Sequence, residues 1–321
     1  MTITIDRFKR ITVGLIGSIV GDALGVPVEF NSRVSLSADP VKGMQGYGTH
    51  HQPPGTWSDD SSLTLCLVES LLERGYDPED IGHRFVQWSE HGYWTPYGVA
   101  FSIGGTTRKS IDRFMEGFSS IKAGLDDAYS NGNGSLMRIL PAALYFADEK
   151  QDTLLKTVRE ISCITHAHLI SQIACCIYSL FAARLLKGEN QFEAYQKTCE
   201  ESRQIFNTTA WEKAHRHFAR VLDGNLKAIP EQEIQSDGYV VHTLEAAIWC
   251  LLQHHTFQET VLAAVNLGDD TDTTAAVAGG LAGIVYGRDA IPDEWVQSLA
   301  RIEEIEDLLQ RFAFKVIDEK R

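Results

Sequence analysis

Ser58-Asp59-Asp60-Ser61-Ser62-Leu63-Thr64-Leu65-Cys66-Leu67-Val68-Glu69-Ser70-Leu71-Leu72-Glu73-Arg74-Gly75 is a segment that carries its own start and stop. Ser58 stands where an N-cap belongs, because its hydroxyl can accept from the free N–H groups of a first turn, and Asp59 and Asp60 sit where the helix dipole favours negative charge. Leu63 to Leu72 supply the apolar body and Gly75 the stop, after which Asp77-Pro78 restarts a helix. Carried outward, the same reading finds helical periodicity around Pro78 to Glu90, Thr106 to Met115, Leu154 to Cys163, Ala167 to Lys187, Trp211 to Leu222, Thr243 to His254, Thr256 to Asn266, Thr273 to Tyr286 and Pro292 to Phe314. Strand alternation is hard to find. The class predicted is all-α, a bundle of about ten helices.

No Pro/Ser-rich linker or charge run divides residues 1–321, so a single domain is the simpler expectation. A content of 44% hydrophobic and 22% charged residues is that of an ordinary globular chain, which excludes the disordered and fibrous classes. The net charge of −14 argues against a nucleic-acid backbone as partner, since such proteins neutralise phosphates with clustered Lys and Arg. A small anionic ligand would have to be met by metal ions, helix N-termini and local side chains. The six cysteines, Cys66, Cys163, Cys175, Cys176, Cys199 and Cys250, show no CxxC spacing and mostly fall in apolar helical runs, which points to reduced core thiols and a cytoplasmic protein.

Near the N-terminus, Lys9-Arg10 followed by Ile11 to Val20 imitates a secretory signal. Asp22 interrupts it, and Gly14, Gly17 and Gly21 at spacings of three and four make it a core helix whose small face admits another backbone. No run is read as approaching the about 18 apolar residues of a membrane span, so no membrane is expected.

Chemistry-bearing residues gather in two acidic clusters far apart in the chain, Ser58-Asp59-Asp60 and Asp269-Asp270-Thr271-Asp272-Thr273, each opening an apolar helix. Capping alone would account for one or two oxygens per helix. Three carboxylates and two hydroxyls in five residues exceed that need and would repel one another without a cation, so the pair of clusters reads as hard oxygen ligands for Mg²⁺ or Mn²⁺. The loops Asn31 to Trp57, Tyr93 to Gly105 and Ser119 to Leu136 are long and rich in Gly, Pro, Ser and Asn, as functional loops often are. In the last, Asn131-Gly132-Asn133-Gly134-Ser135 leads into Leu136-Met137-Arg138 and the helical Pro141 to Leu144. Such Asn-Gly pairs form either a plain turn or a backbone nest for an anion, and the spacing matches no Walker or Rossmann pattern.

Five ordered stretches resemble the ADP-ribosylglycohydrolases: Gly17 to Phe30 (GSIVGDALGVPVEF), Trp57 to Ser61, Gly132 to Arg138 (GNGSLMR), Thr165-His166, and Asn266 to Thr273 (NLGDDTDT) continuing through Ala278 to Gly287. The resemblance implies an orthogonal helical bundle with a dinuclear metal centre at the base of a cleft, and hydrolysis of a glycosidic bond between ADP-ribose and an acceptor such as a protein arginine or a small molecule. It implies two divalent ions, Mg²⁺ or Mn²⁺, held by Ser58, Asp59, Asp60, Asp270, Asp272 and Thr273, with Asp272 bridging both. Glu29 matches a mobile-loop glutamate placed to gate the metals or act as general base, and Asp59 or Asp60 could share acid–base work. Asn131, Gly132, Asn133, Gly134, Ser135, Leu136 and Met137 match a diphosphate and ribose cradle, and His166 a residue lining the adenosine-side ribose.

Departures concern the leaving group. Ser58 and Ser61 replace usual threonines, and Asp269 stands where glycine is common, adding a carboxylate beside the metals. Ser102, among the substrate-side residues, replaces an aspartate of the arginine-specific bacterial members, and Gly105 an asparagine, so serine-linked, nucleotide-linked or O-acetylated ADP-ribose stay beside arginine as candidate substrates. Trp94, Tyr97 and Phe101 are either a stacking surface for the leaving group or loop packing. His50-His51, His215, His217, His254 and His255 lack a zinc-site context and are assigned to surface or packing, whereas His168 and His242 are placed nearer the cleft. The competing functions are a non-catalytic ADP-ribose-binding or regulatory protein, a toxin-immunity protein, and a two-metal phosphohydrolase that would attack the pyrophosphate instead.

Overall fold

The computed structural model describes residues 2–206 and 211–318, and all its regular elements among these are helical. The first part of the chain forms α1 (Thr2–Gly25), the short α2 (Arg33–Ala38), α3 (Asp59–Arg74), α4 (Pro78–His91), α5 (Gly105–Met115) and α6 (Ser120–Ala123). The middle forms α7 (Leu140–Tyr145), α8 (Gln151–Cys163), α9 (Leu169–Leu186), α10 (Gln191–Phe206), α11 (Glu212–His215) and α12 (Ala219–Leu222). Last come α13 (Val240–Gln253), α14 (Phe257–Asn266), α15 (Thr271–Tyr286), α16 (Asp293–Ser298) and α17 (Ile302–Asp318).

Three stretches depart from the periodicity. Helix α10 has no counterpart in the sequence reading, because its buried stripe of Ala194, Tyr195, Thr198, Cys199, Ser202 and Phe206 is largely small or polar. Between Trp211 and Leu222 the chain makes two short helices joined by a 3-10 turn rather than one helix. The segment from Pro292 to Phe314 breaks between α16 and α17, where the 50s loop takes over the hydrogen bonding: the Ala300 N–H donates to the Gly55 carbonyl and the Trp57 indole N–H to the Ala300 carbonyl. Arg301 turns the corner at φ 59°.

The central unit is the antiparallel pair of α1 and α15. Gly14, Gly17, Gly21 and Gly25 form one face of α1, and α15 answers with Ala275, Gly279, Gly280 and Gly283. A Cβ on Gly21 would lie 2.1 Å from the Ala275 carbonyl oxygen, and one on Gly25 would lie 2.3 Å from the Asp272 Cα, so the backbones themselves are in contact. Close packing of this kind leaves no room for an added methylene. Because Gly25 touches Asp272, the same contact fixes where the second acidic cluster stands.

Two stretches do have the length and hydropathy of a membrane span, Asp6–Val28 and Leu169–Leu186, contrary to the expectation that none would. Burial inside the fold accounts for their apolar composition: 100% and 89% of the two windows is covered by other parts of the chain. A helix that is apolar all round suits the middle of a large bundle as well as a bilayer. Around α1, α15 and α9 one contiguous core takes in side chains from Ile11 to Val316.

Candidate active site

The start of α3 is held by a carboxylate from another helix. Asp22, fully buried on α1, accepts the Ser58 N–H with both oxygens at 3.0 Å, and its Oδ2 also accepts the Ser61 N–H at 3.0 Å and the Ser61 hydroxyl at 2.6 Å. Burial pushes the Asp22 carboxyl up to about 6 against the pull of these donors. Ser58 adds the local cap, its hydroxyl accepting the Asp60 N–H at 3.3 Å. The charged residue that interrupts the apolar run of α1 is thus a positioning group, and its isolation among glycines and aliphatics was the signal that it needs partners.

At the start of α15, Thr271 donates its hydroxyl to the Gly25 carbonyl at 2.8 Å, and Asn133 Nδ2 donates to Asp270 Oδ2 at 2.8 Å. The two helix starts meet at Asp60, whose Oδ2 accepts from Ser58 Oγ at 3.2 Å and from Thr273 Oγ1 at 3.3 Å. Glu29, Asp270 and Asp272 each bring an oxygen within 4.8 Å of the others. Burial, then the neighbouring negative charges of Asp22, Glu29 and Asp270, holds Asp59 well above the usual carboxylate range. Asp60 and Asp272 are raised in the same way, and Asp270 chiefly by burial.

These residues fit a cation. Asp60 Oδ1 is buried and has no hydrogen-bond partner among the described residues, which costs free energy unless something positive takes it. All the available donors are carboxylate or hydroxyl oxygens, the set that hard divalent ions prefer.

Asp269 does not join them. Its side chain is exposed and its backbone sits at φ 59°, a conformation glycine adopts freely and Asp tolerates, and it pairs with the Glu29 loop through Phe30 N–H to Asp269 O at 2.7 Å and Asp269 N–H to Asn31 O at 2.8 Å. Its part is to tie that loop to the start of α15.

Glu29 is buried, and its Oε2 is held by His50 Nε2 and, at 3.2 Å, by the Ser102 hydroxyl. Burial raises its carboxyl and His50 partly offsets this. His50, assigned to surface or packing from its sequence context, therefore stands in the site; it also packs on Phe101, with ring centroids 5.3 Å apart. Nothing in the spacing of a His-His pair inside a Gly/Pro-rich loop announces that contact.

A cavity of about 440 Å³ opens over the cluster. Its acid wall is Glu29, Asp59, Asp60, Asp270, Asp272 and Thr273; Gly132, Asn133, Gly134, Met137 and His166 form a second wall joined to the first by the Asn133–Asp270 bond, and Ser102 and Thr106 also line it. His166 lies so close to the loop that a Cβ on Gly134 would meet its Cε1 at 2.6 Å. Burial, and secondarily the charge of Arg138, pushes the His166 imidazole down to about 3, so the ring is neutral.

Three residues of the expected cradle lie behind the cavity surface. Leu136 belongs to the core, Ser135 is bonded to Cys175 and Ser162, and Asn131 offers its carbonyl to the Val240 N–H and its amide to Ala128. His168 caps α9 and His242 pairs with Asp237, so neither lines the cavity. Trp94 is buried, bonded to Glu69 and covered by Arg301, which is the loop-packing reading; exposed Tyr97 is also outside the lining.

A family model described as ADP-ribosylglycohydrolase matches residues 3–320. The chain is similar to the ADP-ribosylarginine hydrolase Tri1 of Serratia proteamaculans (strain 568), 31% identical over 317 residues that make up 98% of this chain and 81% of that one. It is similar to the ADP-ribosyl-[dinitrogen reductase] glycohydrolase of Rhodospirillum rubrum, 32% identical over 296 residues, 88% of each. A solved structure titled "ADP-ribosylglycohydrolase-related protein complex" superposes with a TM-score of 0.81 at 33% identity, over 96% of this chain and 98% of that one.

Proposed function

We propose, from the premise that this chain belongs to the ADP-ribosylglycohydrolase family, that its cleft hydrolyses the glycosidic bond between ADP-ribose and a protein arginine, releasing ADP-ribose. The observation that carries this is the convergence of Glu29 with the two acidic helix starts on the floor of one cavity. The hydrolase names of the relatives favour catalysis over pure binding, and both relatives described above carry an acceptor in their names, arginine or dinitrogen reductase.

Asp59, Asp60, Asp270 and Asp272, with the hydroxyls of Ser58 and Thr273, would hold two divalent ions, Mg²⁺ or Mn²⁺. When bound, such ions supply Lewis acidity toward ribose hydroxyls and acidify a water. The chain's own residues do the rest. Glu29 takes the proton of the attacking water, its carboxylate oriented by His50 and Ser102 on one oxygen. Carboxylates facing the anomeric carbon stabilise the positive charge that develops as the bond breaks. Across the cavity, the side-chain-free Gly132 and Gly134 let a diphosphate approach the backbone, and neutral His166 lines the adenosine side without repelling or attracting net charge. The position of Ser102 lacks the aspartate of arginine-specific members, yet Ser102 donates to Glu29, and the proton that Glu29 takes from water is the one it returns to the departing guanidine, which leaves as guanidinium.

The test offers purified protein Mg²⁺ or Mn²⁺ with ADP-ribosylated arginine, ADP-ribosylated serine and O-acetyl-ADP-ribose, and follows products by mass. Free ADP-ribose released fastest from arginine is the expected result. Faster release from serine or acetyl would reassign the acceptor, and AMP plus ribose phosphate would replace the glycosidase by a pyrophosphatase.

A further inference from the structure

Arg138, just before α7, is fully buried, and among the described residues no carboxylate is bonded to it. Its guanidinium lies 4.7 Å over the Phe85 ring and donates to the Ile161 carbonyl at 3.4 Å and to Thr165 Oγ1 at 2.7 Å, while its Nε has no partner among the described residues. A buried cation so poorly compensated is costly, and burial pushes it down to about 10. Thr165 Oγ1 in turn lies 2.9 Å from His166 Nδ1.

These contacts fix one direction and leave room for the next. A guanidinium can only donate, so Thr165 Oγ1 is the acceptor toward Arg138. Its own proton is then free for its other partner among the described residues, His166 Nδ1, a bond that uses the hydroxyl both as acceptor and as donor. A neutral imidazole that accepts at Nδ1 carries its proton on Nε2. Nε2 is the edge that faces the glycine loop of the cavity, 3.1 Å from where a Gly134 Cβ would stand and 3.7 Å from that of Gly132.

We propose that Arg138 is a positioning residue: through the Thr165 hydroxyl it holds His166 as the Nε2–H tautomer, a neutral hydrogen-bond donor offered to an acceptor oxygen of the ADP-ribose in the cleft. The role for the ligand rests on the functional reading above, whereas the tautomer is a property of the free protein. The relay explains why a cation is buried behind a wall whose visible surface is neutral: its hydrogen bond to one hydroxyl fixes which nitrogen of His166 carries the proton.

The test uses the full chain labelled with ¹⁵N, His166 being assigned by the signals that vanish in His166→Gln. Long-range ¹H–¹⁵N spectra read the tautomer, and calorimetry reads ADP-ribose affinity. Wild type should show protonated Nε2 and bare Nδ1. Thr165→Val, which keeps the shape and removes the hydroxyl, should mix the tautomers and weaken ADP-ribose by roughly tenfold, and Thr165→Ser should restore both. Arg138→Met should act in the same direction; if it does not fold, the threonine pair still decides. A wild type protonated on Nδ1, or a Thr165→Val protein that keeps Nε2–H unmixed, overturns the proposal. Wild type with the stated tautomer but no ADP-ribose binding overturns the ligand reading and, with it, the donor's stated use, while leaving the relay itself established.

Discussion

The two walls of the cavity are built on opposite principles. On the acid wall, Glu29, Asp59, Asp60, Asp270 and Asp272 crowd together with their carboxyls raised by burial and, for most, by one another, and a buried oxygen of Asp60 has no partner among the described residues. On the second wall, two glycines, Met137, a histidine held neutral and Asn133, which bonds across to Asp270, line the cavity. The first wall carries buried like charge that a cation would relieve, whereas the second is neutral as it stands. Under the proposed function the first wall serves chemistry and the second recognition, and variants on each test how far the Asn133–Asp270 bond couples them.

The largest effect should come from Asp272→Asn, which removes a carboxylate from the Glu29, Asp270 and Asp272 group. Steady-state hydrolysis should fall by about a hundredfold or more, while the melting temperature without metal stays level or rises because a buried repulsion is relieved. A variant with near-normal rate would break the assignment of the acid wall to catalysis.

Next in size is metal binding itself. Mn²⁺ or Mg²⁺ at about a hundred times its dissociation constant should stabilise wild type by about 2.7 kcal/mol, and EDTA should reverse it. Calorimetric scans of Asp272→Asn should lose most of this shift. An equal shift in both proteins would mean that cations bind elsewhere.

The neutral wall has its own pH signature. The His166 pKa is about 3 in the fold against 6.5 for the free side chain, so the unfolded chain binds the extra proton as pH falls below about 6.5. Stability contributed by the buried neutral ring is therefore present at neutral pH and lost on acidification, by about 2 kcal/mol at pH 5. Denaturant titrations should show a shallower acid loss in His166→Gln; an unchanged slope would contradict the neutral, buried ring.

The smallest effect is expected from Gly134→Ala, whose methyl meets the His166 ring. ADP-ribose affinity should drop by roughly tenfold, and the metal-induced stabilisation should persist. Loss of the metal response in this variant would show that the two walls are not independent.

How far the sequence carries one to this site depends on which wall is considered. Acidic residues at helix starts are legible because capping, dipole and charge repulsion all act within one turn, and Ser58 to Asp60 and Asp270 to Thr273 stand where that logic puts them. The small face of α1 was legible too, though not that α15 would fill it. What escaped depends on contacts between distant segments: Asp22 under the start of α3, His50 on Glu29, the backbone pairing that gives Asp269 its place. On the neutral wall, Asn131, Ser135 and Leu136 are sequence neighbours of residues that line the cavity, but a turn sends successive side chains to different sides. Periodicity also misled where burial was achieved with unusual residues, as in polar α10, and the span-length apolar runs of α1 and α9 went unread.

The account stands or falls most directly on the dependence of turnover on cations. Wild type freed of metal would be given ADP-ribosylarginine, and ADP-ribose release followed by mass as Mg²⁺ or Mn²⁺ is titrated in. Release that is absent in EDTA and rises to saturation with the cation is the result expected. Release at full rate in EDTA would contradict the acid wall as a cation-dependent catalytic centre.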